Sequence, residues 1–422
     1  MIDYLQNEVK IQIEKNKHDA IKFLQDLVRA PSTSGKEKEA QLVIKSKLEE
    51  LNCQIDMWEP DLGELKEHPY FVSDRQSFEG SPNVVGVIKG SGGGRSLILN
   101  GHIDVVPAGN KDWSQSPWSG HIEGDKVFGR GATDMKGGSV AMMMAVKCLQ
   151  DLGIRLKGDL IIQSVIEEES GGAGTLACVL RGYKADAAII PEPSALRIFP
   201  AQQGSMWFRI KVKGEAAHGA TRYEGVSALE KSCIVVKAIE ELETARTNSL
   251  KNPLFKIGSI PLPINIGKIS GGNWPSSVPE EVVLEGRMGV IPGEPIEEAK
   301  QQLTQAVFNA AQRDPWMAHN LPEVNWFGAQ WVSGEVPENH ELVKILKTNY
   351  KQCTSEEAKV EMSPWATDGG YLTNFANTPA IIFGPGPTEK AHFANEYVSI
   401  NQLQTATEVI TKTIASWCGI AD

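Results

Sequence analysis

The chain predicts an α/β protein in which a mixed-sheet domain is interrupted by a smaller α+β domain. Short, nearly continuous apolar runs alternate with helical spacing over the first half, as strands buried on both faces of a parallel sheet require. From Ser205 the pattern switches to strict in-and-out alternation, the mark of a sheet with one wet face. Near residue 330 the first pattern returns. One α/β domain (1–202 plus 330–422) is therefore expected to carry an inserted domain at 203–329.

Ala40, Ile44, Leu48 and Leu51 recur at helical spacing. Ser96–Asn100, Leu160–Ile166 and Ala187–Ile190 read as buried strands, with a turn at Gly90–Gly94 and a buried helix at Ser139–Leu149. In the insertion, Met206, Phe208, Ile210 and Val212 alternate with Trp207, Arg209, Lys211 and Lys213. A helix follows with Val226, Leu229, Cys233 and Val236 on one side. Strand-like runs at 264–269 and 282–290 come next, then a helix phased by Ile296, Ala299, Leu303, Ala306 and Ala310, then a short strand at 323–327. That order is β-α-β-β-α-β. Pro379–Phe383 reads as a further buried strand, and Leu403, Ala406, Ile410, Ile414 and Trp417 phase a final helix.

The 422 residues suit two or three domains. Lys and Arg total 42 against 53 Asp and Glu, a net charge of −11, which disfavours nucleic-acid and anionic-membrane partners. The charged amino-terminal stretch reads as no signal peptide. The longest apolar run, Val140–Val146, falls far short of the ~20 residues of a membrane span. Six scattered cysteines without a C-x-x-C pair fit a reducing compartment, so a cytoplasmic enzyme is expected.

Ligands of open α/β sheets bind beyond the carboxyl ends of the strands, where the unusual polar residues gather. Ser96–Asn100 runs into His102-x-Asp104, an arrangement that lets a carboxylate hold a histidine's second nitrogen. Leu160–Ile166 runs into Glu167-Glu168-Glu169, adjacent like charges that a cation would relieve. Ala187–Ile190 ends in Pro191-Glu192-Pro193, and Asp134 sits in a glycine-rich approach to the Ser139–Leu149 helix. That stretch is not a P-loop, and no G-x-S-x-G elbow is present. Taken one at a time, each of these fits a loop histidine, a solvated charge cluster, a turn or a helix start.

Their joint order, His102-x-Asp104, Gly131-x-x-Asp134-Met-Lys-Gly-Gly138, Glu168-Glu169, Pro191-Glu192-Pro193 and Ala391-His392-x-x-Asn395-Glu396, resembles the M20 family of metallopeptidases and deacylases. The resemblance implies two zinc ions, with Co²⁺ or Mn²⁺ as alternatives, sharing Asp134. His102 and Glu192 would complete one site, Glu169 and His392 the other. It further implies Glu168 as general base, Asp104 as the residue orienting His102, and a homodimer in which His218 reaches the partner's active site. Arg287 matches an arginine that binds a substrate carboxylate. Gly384 and Gly386 match a loop whose N–H groups approach the substrate, and Ser276 stands where many members place a substrate-contacting Asn. The implied activity is hydrolysis of the amide bond of a small N-acylated amino acid or related amine. Acetylornithine and succinyl-diaminopimelate come first, with an N-formyl-aminopyrimidine deformylase of thiamine salvage or a dipeptidase as alternatives. A non-catalytic metal-binding protein has no need of Glu168. Glu167 in place of the usual Asp, Trp274 and the stretch Trp58–Gly80 depart from the best-known deacetylases, and the surroundings of Arg287 and Trp274 are expected to set specificity.

Overall fold

In the computed structural model, which describes residues 2–109, 112–255, 258 and 260–421, two sheets divide the chain. The larger has nine strands. Four of them, Leu160–Val165, Leu97–His102, Ala187–Ile190 and Ala380–Ile382, lie side by side in parallel at its centre. Gln54–Trp58 and Asn83–Ile88 extend one side antiparallel, and Ile198–Gln202, Gly334–Glu335 and Val360–Ser363 extend the other.

Successive residues of the central strands enter different cores, which is why these runs are apolar throughout. Leu97 and Leu99 pack with Val140, Met143 and Ile410, whereas Ile98 packs with Cys178 and Leu372. Helices Gly137–Asp151 and Ile400–Cys418 thus lie in one layer, and Ala173–Leu180 and Gly369–Phe375 supply the other.

The smaller sheet is antiparallel, in the order Ile264–Gly271, Glu281–Val290, Gly204–Lys213, Glu323–Trp331. Met206, Phe208, Ile210 and Val212 bury against helices Ala228–Ser249 and Ile296–Ala311, through Val235, Ile239, Ala299, Leu303 and Val307. The inward face of the first helix differs from the expected one: Ala228, Ser232, Val235 and Ile239 are buried, while Leu229 and Cys233 are exposed. Ser227 caps the helix by accepting from the Glu230 N–H, so Val226 lies before it, in a bridge to Glu215, and cannot set its phase. The last strand runs four residues past the expected 323–327. A bulge between Phe327 and Gln330, with Gly328 at φ +71°, preserves pairing through Trp331.

Two helices, Ile2–Lys15 and Lys17–Arg29, precede the first predicted one. Three short strands, His121–Glu123, Lys126–Phe128 and Tyr397–Ser399, form a third sheet. Among the described residues, no helix is long and apolar enough to cross a membrane.

Candidate active site

The four parallel strands deliver their carboxyl ends to one place. His102 closes the first, Glu168 and Glu169 follow the second, Glu192 follows the third, and the fourth leads to the loop before His392. His102 Nε2 lies 3.2 Å from Asp134 Oδ1 and 3.5 Å from Glu192 Oε1. His392 Nε2 lies 2.9 Å from Glu169 Oε2 and 3.3 Å from Asp134 Oδ2. Each oxygen of Asp134 therefore faces a different histidine. Glu168 Oε2 is 3.9 Å from His102 Nε2.

Asp104 does two jobs. Its carbonyl oxygen is 2.9 Å from His102 Nδ1, its carboxylate 3.6 Å. With Nδ1–H donated there, Nε2 turns its own proton to Asp134 while the ring is charged, and it is the nitrogen that would become a lone-pair donor to the cluster once that proton is lost. The Asp104 carboxylate also accepts from the N–H groups of Glu168 (3.1 Å) and Glu169 (3.0 Å), tying the acidic turn to the histidine strand.

Burial raises the proton affinity of Glu168 and Glu192, and their carboxylate neighbours add to it although His102 opposes. Burial would raise Asp134 too, but hydrogen bonds from His102 and His392 outweigh it and lower its pKa. His102, Glu168 and Glu192, and likewise His102, Asp134 and Glu169, offer donor atoms within 4.8 Å of one another. Crowded buried carboxylates plus two imidazoles form a mixed N/O donor set that fits divalent cations.

Several supports were given no role by the sequence, although Glu396 and Glu167 stand inside the motifs quoted above. Glu396 accepts from the N–H groups of Thr133 (3.0 Å) and Asp134 (3.1 Å), and its other oxygen meets Arg130 Nη1 at 2.5 Å, which fixes the Asp134 backbone. Glu167 turns away from the cluster at φ +64° and pairs with Arg75 Nη1 at 2.7 Å. Arg75 also meets Glu37 at 3.2 Å and donates to Ser81 Oγ at 2.7 Å. The unexpected stretch 58–80 thus carries, in Arg75, a counter-ion for the residue beside Glu168.

A cavity of about 460 Å³ opens above the cluster, lined by Asp134, Glu168, Glu169, Glu192 and His392, and beyond them by Arg287, Ser205, Trp207, Trp331 and Trp365. Arg287 lies in its wall, and its Nε donates to Ser205 Oγ at 3.1 Å. Trp274 and Ser276 do not line it. Both are exposed at the edge of the small sheet, where the Ser276 carbonyl accepts from the Gly219 N–H and His218 bridges Ser277. His218, also exposed and outside the cavity, accepts at Nδ1 from the Ala220 N–H at 3.1 Å. Of the two residues expected in the pocket wall, Arg287 lines the cavity and Trp274 does not, and the tryptophans that line it are Trp207, Trp331 and Trp365.

Gly384 and Gly386 also depart from expectation. Both are buried, and their N–H groups are committed inside the protein, to Ser194 Oγ (3.1 Å) and Gln402 Oε1 (2.9 Å). Their lack of a side chain serves close packing: a Cβ on Gly384 would stand 2.3 Å from the Pro191 carbonyl, and one on Gly386 2.0 Å from Thr133 Oγ1. They hold together the loops that bear Glu192 and Asp134.

Acidic and imidazole donors at the carboxyl ends of a parallel sheet, with a carboxylate to spare, define a metal-dependent hydrolase. Residues 98–416 match Peptidase family M20/M25/M40, and the chain belongs to that family. It is 34% identical to an N-formyl-4-amino-5-aminomethyl-2-methylpyrimidine deformylase of Halalkalibacterium halodurans, covering 97% of each chain. It is 32% identical to the protein of the same name from Bacillus subtilis, covering 96% of each. Among solved structures, the dipeptidase Dug1p of Saccharomyces cerevisiae superposes with a TM-score of 0.78 at 13% identity over 98% of both chains. A tripeptidase of Staphylococcus aureus superposes at 0.72 and 23% identity, over 96% of this chain and 99% of its own. These two likenesses concern the fold.

Proposed function

We propose that the protein hydrolyses the formamide bond of an N-formylated aminopyrimidine, releasing formate and the free amine, with two divalent cations held by His102, Asp134 and Glu192 and by Asp134, Glu169 and His392. The observation that carries the hydrolytic reading is Asp134, whose two oxygens face His102 and His392 on either side, with Glu168 alongside. The formyl substrate rests on the two deformylase relatives, which favour that alternative over an acetyl or succinyl group.

Zinc, or cobalt or manganese in its stead, would supply Lewis acidity and make a water acidic near neutral pH. Glu168 is the base. Buried beside His102, 3.9 Å from its Nε2, it takes the proton of the attacking water and returns it to the leaving nitrogen, so formamide plus water becomes formate plus amine. Asp104 keeps His102 and the acidic turn in register with each other. Arg287 donates to the substrate from the opposite wall.

The reading includes a cytoplasmic homodimer in which His218 of one copy completes the site of the other. Exposed Tyr223, Leu229, Ile269 and Trp274 on the small unit, whose strand Ile264–Gly271 has an edge with no partner strand among the described residues, support such a contact.

The test is a screen of zinc- or cobalt-loaded protein against formyl, acetyl and succinyl amines and dipeptides. Release of formate from the N-formyl aminopyrimidine is expected to exceed every other turnover. Glu168→Gln should retain metal while losing roughly 10²–10⁴-fold in kcat. An unchanged kcat would remove Glu168 from the mechanism, and preference for another acyl group would overturn the substrate.

A further inference from the structure

The upper cavity wall carries chemistry that amide hydrolysis alone does not need. Trp207 and Trp331 meet there with ring centroids 6.1 Å apart and planes inclined at 58°, an open wedge of two indoles. Trp207 is backed by Phe327, centroids 6.1 Å apart, and Gly328 leaves room for it, since a Cβ there would lie 2.6 Å from the indole. Trp365 reaches the cavity from the large sheet's side, edge-on to Phe199 at 5.9 Å. Buttressed rings present flat faces that lose little freedom when a ligand stacks on them.

The polar groups of this wall are as selective. Outside the candidate metal ligands and Glu168, no carboxylate among the described residues lines the cavity, so an amino-acid ammonium would find no partner of its own there. Arg287 engages Ser205 through Nε and pairs with no carboxylate among the described residues, which leaves its terminal N–H groups for an acceptor. A neutral, flat ring with lone-pair nitrogens meets both conditions. Trp331 adds a link: its Nε1–H donates to the carbonyl of Glu168 at 2.8 Å.

We infer that Trp207, Trp331 and Trp365 form a ring site for a flat heteroaromatic amine, and that Trp331 also positions Glu168 beneath it. The inference rests on the hydrolytic reading above and adds the residues that choose the amine.

Steady-state kinetics on N-formyl-4-amino-5-aminomethyl-2-methylpyrimidine, with calorimetric titration of the product amine, separates the possibilities. Trp207→Leu and Trp365→Leu should each raise KM and the product Kd roughly tenfold or more, as loss of one stacking face does, with metal content and kcat held. Trp207→Phe, which keeps a ring, should recover most of the affinity. Trp331→Phe should hold KM and lower kcat, because it keeps the face and loses the hydrogen bond to Glu168. If the wild type turns over the pyrimidine but KM and Kd do not move in the leucine variants, the ring site is wrong and the deformylase reading stands. If the wild type does not turn it over, that reading fails, and the titration alone decides: weaker product binding in the leucine variants keeps the ring site, and equal or absent binding overturns it.

Discussion

Glu167 and Glu37 are both buried, and they share one guanidinium, that of Arg75. Ser81 Oγ joins the group, donating to Glu37 at 2.6 Å while accepting from Arg75. Two carboxylates on one cation are stable only because hydrogen bonds absorb the remaining charge, and removing the cation strands both. Arg75→Ala is therefore expected to destabilise the protein by about 3–5 kcal/mol, read from denaturant midpoints, and to displace the turn that bears Glu168. Arg75→Lys, which cannot span both carboxylates, should recover only part of the loss. At the same scale, His102 and His392 must both be neutral to ligate a metal, yet the carboxylates beside them favour their protonated forms. Metal binding is expected to expel protons, and calorimetry in buffers of different ionisation enthalpy should register their release. Affinity should fall as the pH is lowered. His102, Glu169 and Glu192 lie at or just beyond the ends of apolar runs, but the set they form with Asp134 and His392 was legible only through the motif order that resembles the M20 family. Arg75 and Arg130 were not legible, and Glu396 was seen in its motif without a role, since an Arg or Glu in a loop shows no trace of the carboxylate or N–H it meets across the fold.

The stretch between strands Gln54–Trp58 and Asn83–Ile88 behaves as a strap. His68 stands edge-on to Phe375 with centroids 4.7 Å apart, and its Nδ1 accepts from the Tyr70 N–H at 3.4 Å. The Tyr70 carbonyl accepts from Gln330 of the long strand Glu323–Trp331 at 3.4 Å. Burial lowers the His68 pKa below its ordinary value, so the folded strap prefers the neutral ring. This contribution is complete above the unfolded pKa of ~6.5 and is lost as the pH falls from there through the lower folded value. Amide exchange over 68–78, corrected for intrinsic rates, is expected to quicken between pH 8 and pH 5, and His68→Gln should abolish that dependence. Helix existence was easier to read than helix phase. The Ala228–Ser249 helix was expected, but its buried face was displaced by one residue, because Leu229 and Cys233 are more apolar than the Ala228 and Ser232 that actually turn inward. Trp207 misled for a related reason. It alternates with the core residues of its strand and so read as solvent-facing, whereas that face looks onto the cavity.

The molecule as a whole sets one α/β unit's strand ends against the wall of a second, antiparallel unit, and the cavity draws on both. If the proposed dimer forms, neither copy is competent alone. His218→Ala should keep its metal and lose turnover. Mixing it with Glu168→Ala should restore about a quarter of wild-type activity, since half of randomly formed dimers are hybrids with one intact site of two. Hybrids that form and stay inactive would refute the exchange of His218. Leu229→Asp combined with Ile269→Asp is expected to yield a monomer by sedimentation, with activity lost.

Apolar periodicity by itself determined the parallel core, the inserted β-α-β-β-α-β order and the strand ends at which chemistry collects, because burial constrains every residue of those segments locally. The order of the sequence's motifs, through the resemblance to the family, singled out His102, Asp134, Glu168, Glu169, Glu192 and His392 as the expected reactive set, and the fold brings these residues together. Only the tertiary structure decided what surrounds them. The Arg75 counter-ion, the Glu396 brace, the internal duty of Gly384 and Gly386, and the three-tryptophan wall all depend on contacts between segments tens to hundreds of residues apart, and no local pattern encodes which of those segments will meet.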